Sequence, residues 1–203
     1  MIKNIIFDFG DIFINLDKKR FAKELEKLGI SQEAEENLPI LKDYEMGLIS
    51  TEEFVAFFEA KLNIPKEKLI KAWNSILLDF PENRFKFIQA LSQSKKYRLF
   101  LLSNTNDLHI SWVKNDFGME RYNSFKNCFE QFYLTHEIHL RKPNTNIYEF
   151  VLDENDLKAK ETLFIDDTKE NTDSANTLGI NTWNLIPGEE EVTELFVKKE
   201  HLF

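Results

Sequence analysis

The sequence predicts an α/β protein, a doubly wound parallel sheet with a helical insertion between its first two strands. Three continuous apolar runs carry the first part of that reading: Ile5-Ile6-Phe7, Leu99-Phe100-Leu101-Leu102 and Leu163-Phe164-Ile165. Unbroken runs of this kind are expected when helices cover both faces of a sheet. The spacing carries the second part. About four helical patterns separate the first run from the second, where a single crossover would join a parallel pair.

The elements follow in order. Residues 17–29 repeat apolar positions at Phe21, Leu25 and Leu28, a helical spacing. Ser50-Thr51-Glu52-Glu53 reads as a capping box opening a helix through Phe54, Phe57 and Phe58. Pro65 opens another helix that buries Leu69, Trp73 and Leu77, and Pro81 begins the helix returning to the sheet. Residues 16–79 therefore read as a helical cap over the strand ends, and residues 1–15 with 80–203 as the core. Beyond the second run the pattern predicts a helix over 106–116, a strand over 130–134 and a helix over 144–153. Beyond the third, Ala175 and Leu178 followed by Gly179 read as a helix ended by glycine. A last strand near 180–184 and a tail helix close the chain.

Composition narrows the classes of function. The chain has 203 residues, 42% of them hydrophobic and 30% charged, enough for a buried core and a well-solvated surface. Its nineteen Phe read mainly as core. A net charge of -9 argues against a nucleic-acid partner, which calls for a basic face. Lys18, Lys19 and Arg20 form a short basic cluster that reads as the solvated start of a helix. The single cysteine, Cys128, excludes an intrachain disulfide and, with no His beside it, reads as an ordinary thiol. No stretch approaches the roughly 20 apolar residues of a membrane span. These features point to a cytoplasmic protein without a membrane partner, a monomer or homodimer.

The apolar runs all end in polar residues: Asp8, then Ser103-Asn104, then Asp166-Asp167. Ligands of open parallel sheets bind at the carboxyl ends of strands, so these ends point to one shared site. A carboxylate directly after a buried strand, as at Asp8, needs a metal or hydrogen-bond donors. Ser103 and Asn104 offer a hydroxyl and an amide to a phosphate oxygen. Lys142, held before Pro143, can neutralise a carboxylate and a phosphate. Adjacent acids at Asp166-Asp167 repel unless a cation is present, and oxygen-only ligation suits Mg²⁺. Taken singly, each has an ordinary explanation as a turn, cap or surface residue.

Together the motifs Phe7-Asp8-Phe9-Gly10, Leu102-Ser103-Asn104, Arg141-Lys142-Pro143 and Phe164-Ile165-Asp166-Asp167, with Asn171 beyond, resemble those of the haloacid dehalogenase-like (HAD-like) hydrolase superfamily. The segment Tyr44-Glu45-Met46-Gly47-Leu48-Ile49-Ser50 is similar to the helical cap of the branch that includes sugar-phosphate phosphatases and the N-terminal domain of soluble epoxide hydrolase. The resemblance implies a Rossmann-like core with a helical-bundle cap, and a Mg²⁺-dependent phosphatase of small phosphate esters. It implies that Asp8 is the nucleophile and forms an aspartyl-phosphate, that Ser103 bonds the phosphoryl group, and that Lys142 stabilises its charge. It assigns Mg²⁺ to Asp8, the Gly10 carbonyl and Asp167, with Asp166 nearby. It also places substrate contacts between Asp43 and Ile49, Tyr44 first among them, because Tyr joins an apolar body to a polar tip.

The sequence departs from the pattern at Gly10, where many phosphatases of the superfamily carry a general acid/base aspartate. Asp11, or an ordered water, is expected to substitute in part. Two other readings stay open: a carbon–halogen hydrolase, which the acid pair disfavours, and a phosphate-binding module of low or no turnover, which Gly10 favours.

Overall fold

The structure, a computed structural model, describes residues 1–30 and 39–203. Five parallel strands form one sheet in the order β3-β2-β1-β4-β5, comprising β1 (Asn4–Phe7), β2 (Arg98–Ser103), β3 (Gln131–Leu134), β4 (Thr162–Asp166) and β5 (Asn181–Asn184). The three apolar runs are the three central strands, and every residue of β1 and β4 is buried. Phe7 lies level with Leu101 on one side and Ile165 on the other. Register therefore brings the polar ends of β1, β2 and β4 to one edge of the sheet.

Alternation along the strands feeds two cores. Ile5, Phe7, Leu99, Leu101, Leu163 and Ile165 face α5 (Glu82–Ser94), α6 (Asp107–Phe117) and α7 (Met119–Lys126). Ile6, Phe100, Leu102 and Phe164 face α9 (Thr145–Glu154) and α10 (Lys169–Thr177). Burying opposite faces of each strand under different helices is what doubly wound means in packing terms. A short α8 (Thr135–Ile138) follows β3.

The insertion between β1 and β2 contains α1 (Lys18–Lys27), α2 (Pro39–Glu45), α3 (Thr51–Leu62) and α4 (Lys66–Trp73). Asp17 caps α1 by accepting from the Arg20 amide. The Ser50 capping box forms in both directions, 3.2 Å from Glu53 N to the Ser50 hydroxyl and 2.8 Å from Ser50 N to Glu53. These helices bury their own apolar cluster, with Phe21, Leu25, Tyr44, Phe54, Phe58 and Trp73 at its centre. The segments entering and leaving the insertion run antiparallel, with Leu16 bridging Leu77 and the Asn15 amide donating to Asp79 O at 2.9 Å.

Three expectations differ in detail: the helix opened at Pro65 ends at Trp73, and Leu77 lies beyond it in extended backbone and packs in the sheet core. Helix α7 was not predicted from the pattern, because it buries only Tyr122 and Phe125 and its start at Gly118 lacks a side-chain cap. The tail is a series of short turns, with α11 (Leu195–Lys198) only four residues long, pinned where Val192 and Leu195 enter the core.

Candidate active site

Asp8 leaves β1 and enters a tight loop in which Phe9 O accepts from Phe13 N at 2.9 Å. Phe9 and Phe13 both anchor in the core beside Phe125, at centroid distances of 5.3 and 5.0 Å. Two buried aromatic anchors thus fix the loop that carries Asp8. The Asp8 amide donates to Ile165 O at 2.8 Å, which ties it to the end of β4.

Lys142 reaches this strand end from the loop before α9, its side chain 1% exposed. Its ammonium donates to Asp8 Oδ1 at 2.7 Å and to Asp166 Oδ2 at 2.6 Å. Burial pulls the lysine toward neutrality, but the two carboxylates, Asp166 foremost, outweigh it and raise its pKa. Burial pushes the Asp8 carboxyl up to about 7 despite the opposing pull of Lys142, and Asp166 and Asp167 add to the rise. The Asp167 carboxyl is also raised, first by burial.

Asp166 is wholly buried, and its oxygens accept from Lys142, Thr168 N and the Asn171 amide. Asn171 is held in turn where its carbonyl accepts from Tyr148 at 2.9 Å. Asp8, Asp166 and Asp167 each place one carboxylate oxygen within 4.8 Å of the others. Three hard oxygen donors at that spacing fit a divalent cation of the Mg²⁺ type. Because protein donors already occupy Asp166, Asp8 and Asp167 are the freer ligands. Gly10 O lies at the same loop and accepts from Ile12 N at 2.7 Å.

The other predicted residues fall in different places. Ser103 is buried at the end of β2, one residue beyond the level of Asp8. Asn104 turns its side chain to the loop that carries Lys142. It donates to Lys142 O at 3.0 Å and accepts from Lys142 N at 3.1 Å, so the amide holds the lysine's backbone. Asp11 stands outside the three-acid group: it accepts from Leu16 N at 3.0 Å and pairs with Lys18 at 3.0 Å. Its φ of 54° shows the sharp turn that directs it there. At Gly10 an added Cβ would fall 2.8 Å from Leu16 Cδ1, so a leucine of the cap connection fills the space an aspartate would take. Tyr44 is in the cap core, not at a pocket: it is 1% exposed, stacked on Phe54 at 4.1 Å, with its hydroxyl 2.9 Å from Thr51 and accepting from Leu108 N. A tyrosine whose tip finds partners inside the protein has no need of water or ligand.

Lys18 begins α1 as the sequence suggests, but it is not merely a solvated helix start. Its ammonium crosses from the cap to lie 2.7 Å from Asp167, bridging that acid to Asp11. Lys18 also borders a cavity of about 430 Å³ between cap and core, lined among others by Phe21, Glu45, Trp73, His109 and Arg141. Glu45 falls within the segment expected to supply contacts, one residue after Tyr44.

Comparison with known proteins places the chain in a family. The pattern of the family described as haloacid dehalogenase-like hydrolase matches residues 5–185, nearly the whole chain. The chain belongs to the haloacid dehalogenase-like hydrolase family. Among curated relatives, a D-ribitol-5-phosphate phosphatase of Bacteroides thetaiotaomicron is 27% identical, covering 97% of this chain and 98% of that protein. Among solved structures, a HAD family enzyme from the same organism, in complex with magnesium and inorganic phosphate, is 33% identical over the full length of both chains, with a TM-score of 0.80. A predicted HAD-like family hydrolase from Porphyromonas gingivalis is 28% identical with a TM-score of 0.83, over 100% of this chain and 98% of that one. The α/β sheet of this HAD-like hydrolase is thus that of its structural relatives. Among the described residues, no helix is long and apolar enough to cross a membrane.

Proposed function

We propose that this HAD-like hydrolase is a Mg²⁺-dependent phosphatase of a small phosphorylated sugar or polyol, working through an aspartyl-phosphate on Asp8. The convergence of Asp8, Lys142 and the acid pair at one strand edge carries the reading. The ribitol-5-phosphate phosphatase relative and the magnesium–phosphate complex support it.

In this scheme Asp8 attacks phosphorus, the bond to the leaving oxygen breaks, and that oxygen takes up a proton. Water then attacks phosphorus, releasing inorganic phosphate and restoring the Asp8 carboxylate. Lys142 holds Asp8 Oδ1 in place and counters charge on the phosphoryl oxygens. Ser103 hydrogen-bonds a phosphoryl oxygen, while Asn104 and Asn171 act by positioning Lys142 and Asp166. Mg²⁺ would be held by Asp8, Asp167 and the Gly10 carbonyl, with Asp166 beside it, and supplies positive charge to the phosphoryl oxygens. With Leu16 at the position of the usual acid, Asp11 contributes through Lys18 on the leaving-group side.

A panel of phosphate esters assayed with and without Mg²⁺, with Asp8→Asn as control, tests the reading. Turnover that requires both Mg²⁺ and Asp8 is expected. Tight phosphate binding without turnover of any ester would favour the binding-module reading that Gly10 suggests, and halide release persisting under a chelator would favour a dehalogenase. Comparing Asp11→Asn on an aryl and a sugar phosphate tests Asp11, and negligible losses on both would remove it from the scheme.

A further inference from the structure

Given the phosphatase reading, on which this rests, we propose that Glu45 and Arg141 form a hydroxyl-recognition pair that selects a neutral polyhydroxylated leaving group. The cavity they line borders the acid centre, because Lys18 lies on both. Its walls differ in chemistry. Phe21 and Trp73 form one side, their rings 5.4 Å apart edge to face. Such a wall suits the C–H surface of a carbon chain.

Glu45 and Arg141 supply polar groups. Arg141 Nε donates to Glu45 Oε2 at 2.6 Å, and Arg141 Nη1 donates to Lys142 O at 3.2 Å. The pair is thereby oriented against the backbone of the lysine that holds Asp8. Both side chains are 28% exposed, neither sealed off nor fully solvated. Among the described residues, Glu45 Oε1 and Arg141 Nη2 have no protein hydrogen-bond partner.

Of the other polar side chains lining the cavity, Lys18 and His109 are committed to protein partners. Lys18 is held by Asp11 and Asp167. His109 is held in a closed ring: Asn106 accepts from Trp73 Nε1 and from the His109 amide, which turns its NH₂ toward His109 Nδ1. Nδ1 is then an acceptor, and Nε2–H donates to Trp73 O at 3.2 Å. Lys42 also lines the cavity and is exposed.

The available groups are therefore one carboxylate oxygen and one guanidinium N–H set, side by side, with the exposed Lys42 ammonium as a further donor. Neighbouring hydroxyls match both, since each can donate to the carboxylate and accept from the guanidinium. A leaving group carrying its own carboxylate would pair with Arg141 alone and be repelled by Glu45, whereas hydroxyls satisfy both partners. An apolar one would strand both partners without hydrogen bonds, and sites built to bond a hydroxyl discriminate strongly against analogues that lack it.

The experiment compares kcat/KM of the Mg²⁺-loaded full chain on a pentitol 5-phosphate, its deoxy analogues and 4-nitrophenyl phosphate, for the wild type, Glu45→Gln and Arg141→Lys. At least one deoxy analogue should lose about tenfold to a hundredfold in the wild type. Each variant should lose at least about tenfold more on the pentitol phosphate than on the aryl phosphate, and should no longer discriminate against that deoxy analogue. Equal losses on all substrates, or a wild type indifferent to every deoxy analogue, would overturn the proposal. Turnover of the aryl phosphate with none of any polyol phosphate would overturn it while leaving the phosphatase reading intact, and no turnover of either would remove both. The deoxy comparison uses the wild type alone, so it stands even where a variant fails to fold.

Discussion

Replacing Lys142 with methionine is the most demanding test of the site. Methionine keeps most of the side-chain volume and removes the charge together with its two hydrogen bonds. The ammonium lies 2.7 Å from Asp8 and 2.6 Å from Asp166, in a position 1% exposed. Its loss leaves two buried carboxylates facing each other with no cation. Removing one partner of a buried pair costs about 3–5 kcal/mol. At about 2–4 °C per kcal/mol for a chain of this length, Lys142→Met should melt roughly 6–20 °C below the wild type in a chelator.

The deficit depends on pH. Without Lys142 the carboxyl pKa of Asp8 rises above the value of about 7 that burial already gives it. A carboxyl raised on folding contributes stability fully present below its unfolded pKa and lost as pH rises through the folded one. The variant should therefore fall further below the wild type at pH 8 than at pH 5. Mg²⁺ should restore part of the loss, since a second cation then faces the same carboxylates. Turnover of an aryl phosphate should drop by about 10²–10³, the scale for one charge-stabilising donor. Melting within about 2 °C of the wild type at pH 8 in a chelator, far inside the shift expected for this chain length, would refute the electrostatic account.

Three further outcomes follow from the geometry. Gly47 has φ +64° and an added Cβ would lie 2.0 Å from His136 O, so Gly47→Ala should lift the cap tip off the core. A loss of about 1–3 kcal/mol by thermal melting, with weakened substrate binding, is expected, and wild-type melting would contradict it. Asn104→Ala removes both bonds to the Lys142 backbone, so kcat should fall about tenfold with KM little changed, each lost bond being worth about 1 kcal/mol. A rise in KM alone would point instead to direct substrate contact. Burial lowers the His109 pKa to about 4, below its ordinary 6.5. That stability, at most about 3 kcal/mol, is present above pH 6.5 and lost as pH falls toward 4, so His109→Gln should flatten the acid limb of the stability profile. An unchanged limb would show that another group sets it.

Much of the frame was legible in the chain itself. Continuous apolar runs mark buried strands because both faces of β1, β2 and β4 are covered, and the Ser50–Glu53 box forms as read because its partners are three residues apart. Periodicity failed where burial was sparse, as in α7 with two buried side chains. The acids Asp8, Asp166 and Asp167 were legible because a charge straight after a buried strand has few places to go.

What a polar side chain touches was decided elsewhere. Asn104 spends its amide on a backbone 38 residues away, and Lys18 reaches an acid 149 residues away. Tyr44 and Glu45 are neighbours on one helix, yet one turns into the cap core and the other lines the cavity. Sequence determined the strands, the caps and the acids at the strand ends, because apolar periodicity and capping act over a few residues. Tertiary structure decided which polar groups were left free for a ligand, because hydrogen bonds between distant segments exist only once the sheet and the cap have packed together.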